Sequence, residues 1–312
     1  MNKRELTKED IKNILKENGI ENFNLKPFPK SGQKAVFRVD CKPTSVILKV
    51  YDITPYDSIS LKEFNTHIDY DEFELQKNEE IRVMTLYISR EVNASKECTI
   101  FPRMIMTDNI EDYILGDYLY KYYFEELIEG KVLDDSEYYK EKNSLKEVAT
   151  FLNKSLELIK TMWTTAYVHR DIKPSNIILS DGDIKFIDPG LARSINDETI
   201  TRTGMTLGTP RYWAPEQKEI QSNYNWTFKT DLYPLGLIAI EMYLPEFRKM
   251  SVESLKNMEL VFKKWREKDN SKESIAFFRQ IILRLSSEKI FRRSNSIEEL
   301  QKTLNAYKGG NT

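Results

Sequence analysis

Two cysteines and two histidines are the whole supply of thiolate and imidazole metal ligands in 312 residues. Cys41 and Cys98 form no Cys-x-x-Cys pair, which argues against a structural zinc site and for a chain kept reduced. An excess of either charge is also missing. The 47 Lys and Arg stand against 49 Asp and Glu, a net charge of -2, and that balance argues against nucleic acid or an anionic membrane surface as an obligatory partner. No apolar run reaches the roughly 18–20 residues that cross a bilayer. The opening Met-Asn-Lys-Arg-Glu-Leu-Thr is charged and lacks the apolar core of a signal peptide. A cytoplasmic protein without a membrane partner is therefore expected. Internal repeats and low-complexity segments are absent as well.

What is present suffices for a core: 40% hydrophobic and 12% aromatic residues, in a length that suits one large domain or two smaller lobes. Thr7 and Asp10 stand as a capping pair ahead of Ile11, Ile14 and Leu15, with Gly19 just past the end of the predicted helix. Residues 33–51 change to short β-rich runs. A helical segment follows over about 70–88, then two strand candidates near 99–107 and 117–127, with Gly116-Asp117 between them as a turn. The tyrosines at 118, 120, 122 and 123 suit a hairpin with one wet face. From Ser144 and Glu147 onward the pattern is helical, with Leu145, Val148, Leu152, Leu156, Ile159 and Trp163 at helical spacing. Residues 235–243 are apolar almost all round and predict a buried helix. Later helices are expected over 251–266, 272–286 and 296–307. The expected class is α+β. A helical extension covers 1–20, a small β-rich part 21–127, a larger helical part 128–307 and a frayed tail 308–312.

Residues 168–179 carry the densest chemistry. Asp171, Lys173 and Asn176 put a carboxylate, an amine and an amide in one turn after a long helix. Phosphoryl transfer needs that trio: a carboxylate to receive a hydroxyl proton, a cation to steady the moving phosphoryl group, and an amide oxygen to hold a metal ion. Seventeen residues after Asp171, the apolar run Ile184-Lys185-Phe186-Ile187 delivers Asp188 onto the Pro189-Gly190 turn, an oxygen donor of the kind magnesium prefers. Further on comes Gly208-Thr209-Pro210-Arg211-Tyr212-Trp213-Ala214-Pro215-Glu216. Upstream, Val46-Ile47-Leu48-Lys49 sets a lysine at the end of an apolar strand.

With His169-Arg170-Asp171, the Asp188 turn and Ala214-Pro215-Glu216 in this order, the chain resembles the eukaryotic-type Ser/Thr protein kinases, including those of bacteria, over about residues 25–305. The resemblance implies a bilobal protein kinase-like fold and a Mg-ATP-dependent transfer to Ser or Thr hydroxyls of a protein substrate. It implies that Lys49 grips the α- and β-phosphates and pairs with a helix glutamate. Glu80 is the choice, because Ile81, Val83, Met84 and Tyr87 follow it at the family's apolar spacing, and Glu79 and Glu74 are its rivals. It further implies Asp171 as the base, Lys173 as the cation at the transferring phosphate, and Asn176 and Asp188 as magnesium ligands. Glu125 and Leu127 resemble the hinge positions whose backbone meets adenine, with Phe124 as the gatekeeper beside them. Val36, Ile47 and Ile178 would sandwich the base, and Gly32 would approach the phosphates. Thr209 would bond back to the Asp171–Lys173 pair. Asp231 would tether the catalytic loop, and Glu216 and Arg293 would form a bracing ion pair. Among Thr199, Thr201, Thr203 and Thr206, a phosphate on Thr201 or Thr203 would pair with Arg170 and order the activation segment.

Three positions depart from the family pattern. Gly32 is the one glycine in a segment that usually has three, Pro189 replaces the usual Phe, and Ile47 is bulkier than the usual Ala. They motivate an alternative, a pseudokinase acting as a nucleotide-binding scaffold. A small-molecule phosphotransferase is a third reading, and Gly208–Glu216 argues against it. His169 is expected to be a packed histidine rather than a base, and His67 a surface residue.

Overall fold

The computed structural model describes residues 6–29, 34–54, 70–116, 118–189, 193–194, 210–217 and 226–308. The chain divides into two compact units, Met1–Leu127 and Ile128–Thr312.

The first unit begins with α1 (Lys8–Glu17). Asp10 N–H donates to Thr7 Oγ1 at 3.2 Å and Thr7 N–H donates back to Asp10 Oδ2 at 2.8 Å, so two N-terminal amides are satisfied reciprocally. Strands β1 (Phe23–Pro27), β2 (Lys34–Cys41), β3 (Val46–Asp52), β4 (Met104–Ile105), β5 (Glu111–Leu115) and β6 (Tyr118–Glu126) build one antiparallel sheet. Its order is β1-β2-β3-β6-β4, with β5 paired to β6 as well. The second helix, α2, runs from Tyr70 to Glu97.

Both faces of this sheet are covered. Ile11, Ile14 and Leu15 of α1 pack with Val39, Val46, Leu48, Val50, Tyr120, Tyr122 and Phe124. On the other face Ile88 and Val92 of α2 pack with Tyr51, Ile53 and Tyr123. Successive strand residues alternate between faces, so coverage on both sides is why every residue of β3 from Val46 to Tyr51 is buried. Each fully buried aliphatic side chain of α1 contributes about 1.5–3 kcal/mol. Asn18, at the end of α1, donates to the Tyr122 hydroxyl at 3.0 Å and ties the helix to β6.

Among the described residues, the second unit is helical apart from five short strands: β7 (Lys131–Val132), β8 (Tyr167–Val168), β9 (Ile177–Ser180), β10 (Asp183–Phe186) and β11 (Arg193–Ser194). They pair as β10-β9-β7 and β11-β8. Gly130, at φ +150°, lies so close to β9 that a Cβ would sit 2.2 Å from the Leu179 carbonyl oxygen. The helices are α3 (Glu137–Lys140), α4 (Leu145–Thr164), α5 (Phe228–Tyr243), α6 (Val252–Lys256), α7 (Met258–Lys268), α8 (Lys272–Phe277), α9 (Leu283–Ser286) and α10 (Ile297–Lys308). Ser144 and Glu147 cap α4 reciprocally, as their spacing predicts. In α5 every residue from Thr230 to Tyr243 is buried. A Cβ on Gly236 would lie 2.8 Å from Ser286 Cβ, so glycine is what lets α5 and α9 pack this closely.

Several expectations shift. The helix expected over 70–88 continues to Glu97. The strand near 99–107 shrinks to Met104–Ile105, and a strand at Glu111–Leu115 takes the outer half of the hairpin. The stretch 251–266 is two helices, because Asn257 caps a new one by accepting from Leu260 N–H at 3.0 Å. The tyrosine-rich strand has no wet face: Tyr120, Tyr122 and Tyr123 are all buried, since α1 covers the side expected to meet water.

Candidate active site

In the first unit the chemistry gathers on the α2 face of the sheet. Strand alternation sends Ile47, Lys49 and Tyr51 to this face, opposite to Leu48 and Val50. Lys49 pairs across to Val36 on β2 and to Tyr123 on β6, and directly opposed residues share a face. Lys49 Nζ lies 2.7 Å from Glu91 Oε1 and 2.9 Å from Glu125 Oε2, with all three side chains at 5% exposure or less. Glu91 also accepts from the Tyr51 hydroxyl at 2.5 Å and the Tyr123 hydroxyl at 2.7 Å. Lys34 Nζ stands 3.7 Å from it. Burial and the neighbouring Glu91 carboxylate push the Tyr123 hydroxyl well above its ordinary range.

Three expectations are corrected here. The helix partner of Lys49 is Glu91, not Glu80. Eleven residues separate them, about three turns or 16 Å along α2, and the Glu80 side chain lies outside the described residues. Phe124 is not a gatekeeper beside the lysine, because it belongs to the α1-side core. Glu125 does not offer its backbone to a base. It sits in the ladder between Ile47 of β3 and Met104 of β4, so no strand edge is open there, and its carboxylate turns to Lys49 instead. Leu127, the other hinge candidate, lies just past the end of β6 and is half-buried. Val36 and Ile47 lie on the Lys49 face.

In the second unit β8 ends at Val168, and the chain turns through the catalytic loop before β9 begins at Ile177. Asp171 Oδ2 accepts from Lys173 Nζ at 2.8 Å and from Asn176 Nδ2 at 3.0 Å. Asn176 Nδ2 also donates to the Asp171 carbonyl at 2.9 Å. The trio predicted from sequence spacing thus meets on one carboxylate. Asp231, buried at the start of α5, accepts from the backbone N–H groups of His169 and Arg170, each at 2.8 Å. Burial raises its pKa to about 7, although both backbone bonds oppose the shift. Arg170 adopts a left-handed φ of +66°, a conformation that costs a non-glycine residue energy and persists where surroundings over-determine it. Here the two bonds to Asp231 and a bond from Gln217 Nε2 to the Arg170 carbonyl, 2.7 Å, do so. The Arg170 guanidinium stacks over the Trp226 ring at 4.1 Å.

His169 is fully buried, edge-on to Phe186 at 5.7 Å between centroids, and burial lowers its pKa. A neutral packed histidine fits that setting. Asp188 follows β10 with φ +60°. Ile178 lies on β9, between Lys185 and Val132. Glu216 and Arg293 form a bidentate pair at 2.6 and 2.8 Å, and Arg293 also donates to the Lys229 and Ser287 carbonyls.

A second anchor was not anticipated. Glu241 of α5, with no solvent exposure, accepts from Arg211 Nε at 2.9 Å and Nη2 at 2.5 Å, and from the hydroxyls of Tyr212 at 2.9 Å and Tyr139 at 2.6 Å. A lone Glu inside an apolar helix was the available signal, because a buried carboxylate requires partners.

Gly32 and the threonines Thr199, Thr201, Thr203, Thr206 and Thr209 lie outside the described residues. Among the described residues, no group of three or more His, Cys, Asp or Glu is placed to hold a metal ion, and no helix is long and apolar enough to cross a membrane. A metal in the second unit would have to use a mixed set of oxygens. Asn176 directs its amide nitrogen to Asp171, which leaves its oxygen as the donor, and Asp188 supplies a carboxylate. Both are hard ligands of the kind magnesium takes together with phosphate and water.

The family described as the protein kinase domain matches residues 44–306. A probable serine/threonine-protein kinase of Clostridium perfringens is 36% identical over 124 residues, 39% of this chain and 17% of the relative. Serine/threonine-protein kinase PknL of Mycobacterium tuberculosis is 43% identical over 76 residues, 24% of this chain and 18% of the relative. Serine/threonine-protein kinase PknA of the same species is 30% identical over 132 residues, 42% and 30% of the two chains. The chain therefore spans well under half the length of each of these relatives.

Proposed function

The chain belongs to the protein kinase domain family, and from that premise we propose that it is a Mg-ATP-dependent Ser/Thr protein kinase that also phosphorylates its own activation segment. The observation that carries this reading is the catalytic loop: one carboxylate, Asp171, bonded to both Lys173 and Asn176, on a loop held by Asp231. In this reading Asp171 orients a Ser or Thr hydroxyl and receives its proton. Lys173, already at 2.8 Å from Asp171, balances charge on the phosphoryl group as it moves. Little covalent chemistry is asked of the protein, since phosphoryl transfer is mostly positioning and charge stabilisation.

Magnesium would be held by Asn176 and Asp188, and would supply positive charge against the negative charge of the nucleotide's phosphates. Lys49, steadied by Glu91, would hold the nucleotide's phosphates. Val36, Ile47 and Ile178 would contribute apolar surface to the base, and the backbone at Leu127 would meet its edge. Gly32 would approach the phosphates, and Thr209 would join Asp171 and Lys173. Thr201 or Thr203 would carry the regulatory phosphate, with Arg170 as its partner. Glu216, Asp231 and Arg293 serve as braces.

Mass spectrometry of phosphosites after incubation with magnesium and ATP tests this. Wild type should gain phosphothreonine within 199–206, and Asp171→Asn should slow the transfer by roughly 10²–10⁴-fold. Equal phosphorylation of both proteins, or none in wild type with a generic protein substrate added, would refute it.

A further inference from the structure

We propose that Glu125 is a positioning residue for Lys49: a second buried counter-ion that holds the ammonium while no phosphate is bound and takes up a proton when a nucleotide phosphate claims it. The inference rests on the reading of Lys49 as the phosphate-holding lysine.

The geometry separates the two carboxylates. Glu91 is fully engaged, with Lys49 at 2.7 Å, two tyrosine hydroxyls at 2.5 and 2.7 Å, and Lys34 at 3.7 Å. Glu125 is equally buried, but its Oε2 lies 2.9 Å from Lys49 Nζ without hydrogen-bond alignment. A buried carboxylate is stabilised as an anion chiefly by the hydrogen bonds it accepts. Glu125 lacks the two tyrosine hydroxyls that donate to Glu91. Its pKa is raised, first by burial and then by Glu91, against the pull of Lys49 and Lys34.

Among the described residues, the charged and titratable groups around this point are Lys34 of β2, Lys49 and Tyr51 of β3, Glu91 of α2 and Tyr123 of β6. Among the described residues, the two ionised carboxylates balance the two lysines. A proton on Glu125 removes one of the two negative charges beside Lys49 and leaves more of its charge to a phosphate. Phosphate binding and proton uptake at Glu125 are then linked, and the affinity for nucleotide weakens as pH rises, by up to about tenfold per pH unit across the titration. Replacing Glu125 by Gln should give a binder that is permanently in the high-affinity state.

The test is isothermal titration of Mg-ADP over pH 5.5–8.5, in two buffers of different ionisation enthalpy, on the Asp171→Asn protein with and without Glu125→Gln. The expected result is up to one more proton taken up per nucleotide with Glu125 than with Gln, and a weaker, more pH-dependent affinity. The nucleotide's own titration is common to both and cancels in the difference. A bracing role alone would change stability but not proton uptake, so identical uptake and parallel pH profiles overturn the proposal and leave the kinase reading standing. Failure of both proteins to bind Mg-ADP at any pH would overturn the nucleotide reading and this inference with it, and failure of the folded Gln protein alone would overturn this inference only. Glu125→Met, of similar length and apolar, replaces the Gln variant if that one fails to fold. A readout without nucleotide follows from the sign of the shift. A proton on Glu125 favours the folded state, so wild type should lose stability relative to Glu125→Gln as pH rises above the ordinary carboxyl value of 4.5. A pH-independent difference would count against the proposal.

Discussion

Replacing Glu91 by Gln should destabilise the first unit by about 3 kcal/mol while the second unit melts as before. At 2.7 Å and an effective dielectric near 20, the Lys49–Glu91 attraction is about 6 kcal/mol before desolvation. Most of that offsets the cost of burying both charges. Removing one partner of a buried pair typically costs 3–5 kcal/mol, because the other charge is stranded. Glu125 remains beside Lys49 at 2.9 Å and softens the loss, whereas Tyr51 and Tyr123 each lose a charged acceptor and add to it. The low end of that range follows. The assay must separate the units. All four tryptophans, Trp163, Trp213, Trp226 and Trp265, lie in the second unit, so tryptophan fluorescence in urea reports that unit alone. Amide hydrogen exchange along β3 and β6 reports the first. Exchange there should accelerate by roughly a hundredfold in the variant, since 1.4 kcal/mol is tenfold. The parallel change Glu80→Gln should leave the KM for ATP unaltered. Loss of protection by less than about 1 kcal/mol in Glu91→Gln, or an equal effect of Glu80→Gln on KM, would refute the assignment of Glu91 as the partner of Lys49.

Arg293→Ala should lower the stability of the second unit by about 3–5 kcal/mol by stranding the buried Glu216 carboxylate, visible as a shift of the tryptophan-monitored urea midpoint; a shift under 1 kcal/mol would count against the bracing role. Gly236→Ala should cost about 1–3 kcal/mol, because its Cβ would meet Ser286 at 2.8 Å in a packed core, and calorimetry can check it. Asp231→Asn leaves one of the two backbone N–H groups facing an amide nitrogen instead of a carboxylate oxygen, so kcat should fall at least tenfold with the KM for ATP nearly unchanged; a fall in affinity instead would place its role elsewhere. Thr7→Ala removes the cap of α1 and should cost about 1 kcal/mol of the first unit's protection against hydrogen exchange.

The catalytic loop was legible in the sequence because its chemistry is local. Asp171, Lys173 and Asn176 lie within six consecutive residues, so a short loop between two strands keeps them within reach of one another. The capping pairs Thr7–Asp10 and Ser144–Glu147 were legible for the same reason, as was the burial of 235–243, whose apolar residues leave no wet side.

Lys49's partner belongs to the other kind. Positions 80 and 91 are eleven residues apart, close to three whole turns, so they share one face of α2, and helical periodicity cannot tell one from the other. Which turn meets Lys49 is set by where the helix lies along the sheet, and that depends on how Ile88 and Val92 pack against Tyr51, Ile53 and Tyr123. Strands have the same ambiguity with a shorter period. A shift of one residue exchanges the two faces, and the pairing of Lys49 with Tyr123 turned Phe124 toward α1 and Glu125 toward Lys49. The sequence determined by itself the arrangements that depend on near neighbours: the Asp171, Lys173 and Asn176 cluster, the two capping pairs and the buried run 235–243. Tertiary packing alone decided which turn of α2 and which face of β6 meet the lysine, because a periodic pattern fixes direction only up to a whole repeat.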